Sequence, residues 1–147
     1  MKNRAKCYAK MLGIASLLTW TSHANAANYA YSDLGLGAAF AINNSGQIVG
    51  RSGSTAALWD RNSTELTLLP SLSGGPAANS IAWNINNVGQ IVGQEGEVKT
   101  AVIWESPATV KNLSNGLSSQ TWATGINDSG EIVGNRDGIF SFASKSR

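Results

Sequence analysis

One cysteine and one histidine occur in the 147 residues, and both fall within the first 23. A single cysteine excludes any disulfide within the chain, so hydrophobic packing has to supply the stability that small exported domains often take from cross-links. Cys7 and His23 lie in a segment that reads as a leader, so the remainder lacks the usual general base, the thiolate nucleophile and the common zinc ligands. A long hydrophobic run is missing too. The run MLGIASLLTW, Met11–Trp20, falls well short of the roughly 20 residues that span a bilayer, and no permanent membrane anchor is expected.

That short run has a meaning of its own. It follows Lys2, Arg4, Lys6 and Lys10 and precedes SHANA, the order of a secretory signal peptide cleaved after Ala26. The expected organisation is a signal over residues 1–26 and one domain over 27–147, exported to the periplasm or the extracellular space. Four of the eleven basic residues leave with the signal and none of the nine acidic ones does, so the +2 charge of the full chain turns negative. The basic character belongs to the signal, and no nucleic-acid partner is expected.

What the chain does have is repetition. AFAINNSGQIVG starts at Ala39, AWNINNVGQIVG at Ala82 and ATGINDSGEIVG at Ala123, so the repeat cores are 39–50, 82–93 and 123–134. A period of slightly over 40 residues belongs to architectures built from one supersecondary unit per repeat. The centre of the pattern is turn chemistry. Asn43, Asn86 and Asn127 suit the first position of a type I turn, and Gly46, Gly89 and Gly130 suit the left-handed residue that closes a bulged hairpin. The first strand of each hairpin alternates bulky residues (Phe40, Ile42; Ile81, Trp83, Ile85; Trp122, Thr124, Ile126) with small ones. One bulky face and one small face are expected. In the second strand the adjacent pairs Ile48–Val49, Ile91–Val92 and Ile132–Val133 ask for cover on both sides, which stacked sheets supply.

Two more strands follow in each unit, AALWD and ELTLLP in the first, AVIWE and VKNLS in the second. The third unit has only GIFSF, while YAYSDL, Tyr29–Leu34, precedes the first hairpin without a partner. Counted circularly, that segment is the missing fourth strand. The expected fold is all-β: three four-stranded antiparallel units, propeller-like, closed by the N-terminal strand. A β-prism or β-trefoil-like three-fold closure is the alternative.

The stretches AFAINNSGQIVG, AALWD and SDLG resemble the HAF repeats, an extracellular repeat family of secreted bacterial proteins. The resemblance runs from about Tyr29 to Phe142. It implies a secreted, propeller-like protein, and it carries over no catalytic residue. Members of that family usually have more copies and often a C-terminal sorting segment, which SFASKSR does not match.

Catalysis would have to use carboxylates. A glycosidase needs two of them flanking one bond, and the candidates Asp60, Glu95, Glu97, Glu105, Asp128 and Glu131 occupy loops and repeat-matched positions. Asn127, Asp128 and Ser129 gather oxygens as a calcium loop does, but the other two copies offer mostly amides where alternating carboxylates are needed. No catalytic residue, metal or cofactor is expected. Trp59, Trp83, Trp104 and Trp122 read as core aromatics, with stacking on sugar rings as the competing role. Two functions remain: a secreted non-catalytic binding or scaffold module, or a secreted carbohydrate-active enzyme. The expected partners are a polysaccharide or protein ligand on the loops and a further copy of the chain through exposed sheet edges.

Overall fold

The computed structural model describes residues 31–61, 65–114, 116, 120–137 and 140–145. The segment expected to be a signal, residues 1–26, lies outside them. Among the described residues every regular element is a strand: β1 Ala38–Ile42, β2 Gln47–Ser52, β3 Thr55–Asp60, β4 Leu66–Leu68, β5 Ile81–Ile85, β6 Ile91–Glu95, β7 Thr100–Ser106, β8 Thr109–Asn112, β9 Thr121–Ile126, β10 Glu131–Arg136 and β11 Phe140–Lys145. They form three antiparallel sheets ordered β1-β2-β3-β4, β5-β6-β7-β8 and β11-β10-β9. None closes into a barrel. Each repeat core is the β-hairpin that opens its sheet, as its turn residues require.

The second sheet lies between the other two. One of its faces contributes Ala82, Ile85, Ile91, Val102 and Trp104 to a core shared with Val49, Ala56, Leu58 and Leu69 of the first unit. The opposite face contributes Val92, Ala101 and Ile103 to a core shared with Ala123 and Ile132 of the third. All five residues of β6 are buried. The adjacent apolar pair Ile91–Val92 thus has cover on both sides. The flanking sheets have it on one side only: Ile48 is half-buried and Val133 is 53% exposed.

Two expectations are corrected. Strict alternation in the first strand fails, because every hairpin carries a β-bulge at the same motif position. The register jumps between Ala39 and Ala41, between Ala82 and Asn84, and opposite Thr124 between Gly125 and Ala123. An extra residue shifts the phase of the pleat, so residues of opposite parity on either side of it reach one face. Ala82 and Ile85 therefore share a core, and the bulged Phe40 and Trp83 are displaced toward the rim, where Phe40 is 42% exposed.

Closure by the N-terminal strand also fails over the residues described. Tyr31–Leu34 forms no strand, and β11 pairs with β10 alone. The Asp33 carboxylate accepts the Gly35 N–H at 2.9 Å, and Gly35 has φ +79°. Together they turn the chain out of the extended conformation that a fourth strand needs.

Candidate functional site

The three hairpin turns have one construction. The Gly46, Gly89 and Gly130 amides donate to the carbonyls of Asn43, Asn86 and Asn127 at 3.0, 3.1 and 3.0 Å. These glycines have φ of +80°, +87° and +74°, the left-handed residue expected of the turn. Each asparagine's Oδ1 accepts the backbone N–H four residues on, from Gln47 at 3.0 Å, Gln90 at 2.8 Å and Glu131 at 2.9 Å. Its Nδ2 donates to the side chain of that same residue at 2.8, 2.8 and 2.7 Å. That explains the pattern N-x-x-G-[QE]: the amide or carboxylate after the glycine is the partner of the first asparagine.

The same asparagine also reaches the next repeat. Asn43 Nδ2 donates to the Asn86 carbonyl at 3.1 Å, and Asn86 Nδ2 to the Asn127 carbonyl at 3.0 Å. A second rung runs beside the first. The Asn44 N–H donates to Asn87 Oδ1 at 2.9 Å, and the Asn87 N–H to Asp128 Oδ1 at 2.8 Å. The turns form a one-directional staircase in which each donates to the one after it. Asn127 Oδ1 and Asp128 Oδ1, which in the sequence gather as in a calcium loop, accept backbone N–H groups, and Asp128 Oδ2 accepts the Asn87 side chain.

Asp128 brings a charge to the second rung where Asn87 brings an amide. The Asn87 side chain, donating at 2.9 Å, and the Asn87 backbone N–H hold its carboxyl below the usual aspartate value of 3.8. A carboxylate whose pKa is depressed by folding stabilises the fold above its unfolded value, and that contribution disappears as pH falls through the folded value. Asp128→Asn is therefore expected to lessen the drop in melting temperature on acidification below 3.8. Thermal melts at a series of pH values check this; identical acid sensitivity in both proteins would refute it.

At the other end of the sheets, a junction that the sequence reading missed joins successive units. The Ser80 and Thr121 hydroxyls are buried and accept the Ala56 and Ala101 amides at 2.6 and 2.9 Å. Their own amides donate to the carbonyls of Ser54 and Lys99 at 2.9 and 2.7 Å. The available signal was a hydroxyl residue two positions before the motif alanine, in Ser80-Ile81-Ala82 and Thr121-Trp122-Ala123. The first unit has Gly37 there.

A hollow of about 380 Å³ opens beside this junction, between the first and second sheets, and is lined by Arg51, Asn79, Gln94, Glu97 and Lys99 among others. Aromatic side chains stand nearby. Trp83 donates to Gln94 Oε1 at 3.4 Å and packs on Phe40 with ring centroids 4.8 Å apart. Lys99 Nζ lies 5.7 Å from the centre of the Trp122 ring, within cation–π reach. Of the four tryptophans expected in the core, Trp59 and Trp104 are there and Trp83 and Trp122 are half-buried. The bulge accounts for Trp83. Trp122 stands where the second unit has Ile81, on the rim facing the β6–β7 turn.

Among the described residues no three carboxylates gather at one place. Glu95 is buried and accepts the Leu72 amide at 3.1 and 3.2 Å, pinning the 71–76 loop. Glu105 pairs with Lys111 at 2.7 Å, and Glu131 accepts from Asn127 in its turn. Only Glu97 among the acidic candidates lines the hollow. No known protein family, curated protein or solved structure matches the chain.

Proposed function

We propose that the chain is an exported, non-catalytic binding or scaffold module of the periplasm or extracellular space, propeller-like in arrangement and similar to the extracellular HAF repeats. The observation that carries this reading is the use of its carboxylates: Glu95, Glu105, Asp128 and Glu131 each have a local structural partner, while the polar hollow is lined by one candidate carboxylate. Hydrolysis of a glycosidic bond needs a pair. Loops on a rigid β scaffold are suited to recognition, and half-buried aromatic rings beside amides and charges suit a sugar, which has apolar faces and polar edges. A polysaccharide is therefore the ligand class best supported, bound along the Trp83 and Trp122 rim.

Titrating soluble polysaccharides into the purified protein while following tryptophan fluorescence and released reducing ends tests this. Binding without turnover is expected, weakened about tenfold by Trp83→Ala or Trp122→Ala because one stacked ring is worth a kilocalorie or more. Release of reducing ends would replace the module reading with the carbohydrate-active enzyme. Binding that ignores both tryptophans would move the site elsewhere.

A further inference from the structure

The three sheets are equivalent by sequence yet unequally covered. The paired isoleucines of the second hairpin, Ile85 and Ile91, pack toward the first sheet. Those of the third, Ile126 and Ile132, pack toward the second. The equivalent pair of the first hairpin, Ile42 and Ile48, has no preceding sheet among the described residues, and Ile42 is 62% exposed. The valines run the other way. Val49 is covered by the second sheet and Val92 by the third, whereas Val133, next in the series, is 53% exposed.

The described sheets therefore end in two different open faces that match the two sides of the chain's own internal interfaces. One is an isoleucine face, with a hollow of about 280 Å³ lined by Leu34, Phe40, Ile42 and Ile48. The other is a valine face around Gly125, Val133 and Ala143, beside a hollow of about 490 Å³ that Ile126, Asn127, Glu131 and Ile132 also line. The staircase of turns is open in the same sense. By its pattern the next rungs are Asn127 Nδ2 to the carbonyl of an Asn43, and the Asp128 N–H to the Oδ1 of an Asn44.

We propose that the valine face of one copy stacks on the isoleucine face of a second copy, continuing the internal sheet-on-sheet packing and the turn staircase from chain to chain. The occupant is a second copy because the surface that covers an isoleucine face inside this chain is, both times, the valine face of the preceding unit, and a second copy carries such a face, exposed, on its third unit. The contact is head-to-tail, so it either closes into a ring or extends. It uses sheet faces rather than sheet edges, and it is independent of the ligand reading above.

Sedimentation velocity over a concentration series tests the proposal with two exposed single variants, Ile42→Asp and Val133→Asp, each checked for a wild-type circular dichroism spectrum. Wild-type protein is expected to associate, and each variant alone to associate at least about tenfold more weakly, because a buried unpaired charge is costly. An equimolar mixture of the two retains one intact face from each and is expected to give a heterodimer and nothing larger. Asn44→Ala and Val133→Ser form a second pair should either aspartate disturb folding. Wild-type protein that stays monomeric throughout the series would overturn the proposal. So would variants that associate as wild type does, which would assign assembly to sheet edges, or a mixture that yields no heterodimer.

Discussion

Gly93→Ala is expected to destabilise the fold by about 3 kcal/mol or more, a large loss for one methyl group. The reason is space. A Cβ at Gly93 would stand 2.0 Å from the Ile81 carbonyl oxygen and 3.0 Å from the Trp104 ring, and neither neighbour can yield. The carbonyl belongs to the backbone of the adjacent strand just before its bulge. Trp104 is fully buried in the core between the first two sheets and tied by its Nε1 to Pro70. Gly50 is the matching residue of the first hairpin, with 1.9 Å to the Ala38 carbonyl oxygen. A bulge brings the opposite strand's backbone against the last residue of I-V-G, and only glycine fits there. Gly96→Ala separates this cause from backbone conformation. Gly96 has φ +77° and open space for at least 4 Å around the point a methyl group would occupy, so its replacement is expected to cost only about 1 kcal/mol. Urea unfolding followed by circular dichroism measures both, and equal losses at the two positions would refute the steric argument.

Asn86→Ala is expected to cost about 3 kcal/mol, more than the same change at Asn127. Asn86 is 3% exposed and serves two turns at once. Its Oδ1 accepts the Gln90 amide, and its Nδ2 donates to Gln90 Oε1 and to the Asn127 carbonyl. Alanine removes three bonds, each worth about 1 kcal/mol net, and leaves partly buried partners without replacements. Asn127 makes the same bonds within its own turn but is exposed and has no further turn to hold among the described residues. Water can take over what its side chain releases. The ordering Asn86 above Asn127 in denaturant midpoint loss therefore reports the staircase, and equal losses would mean that the inter-repeat bonds contribute nothing.

These two positions mark how far the sequence could be read. The asparagine and glycine of each turn were legible because their reasons are local: an amide can cap a turn and a glycine can adopt positive φ whatever surrounds them. The partner of Asn43 across 43 residues was not legible, because the periodicity announces equivalent turns without saying that they touch. The bulge was hidden as well. An extra residue in one strand leaves no mark on composition, and its consequence, the phase shift that buries Ala82 with Ile85 and moves Trp83 to the rim, appears only when the two strands are paired. Ser80 and Thr121 were passed over for a similar reason, since a hydroxyl beside a strand is ordinary until its acceptor role in the next unit is known.

By itself the sequence determined an all-β chain of three equivalent hairpin-led units, their turn chemistry, the strands of the first two units and the impossibility of an internal disulfide. All of these depend on residues close together in the chain or on simple counts. Tertiary structure alone decided which apolar face meets which, that among the described residues the second sheet is covered on both sides while the outer two are not, and that Glu95, Asp128 and Glu131 serve turns and loops. Those outcomes depend on contacts between residues some 40 positions apart, and the free energy of such contacts is set by burial and register in three dimensions, which no local pattern encodes.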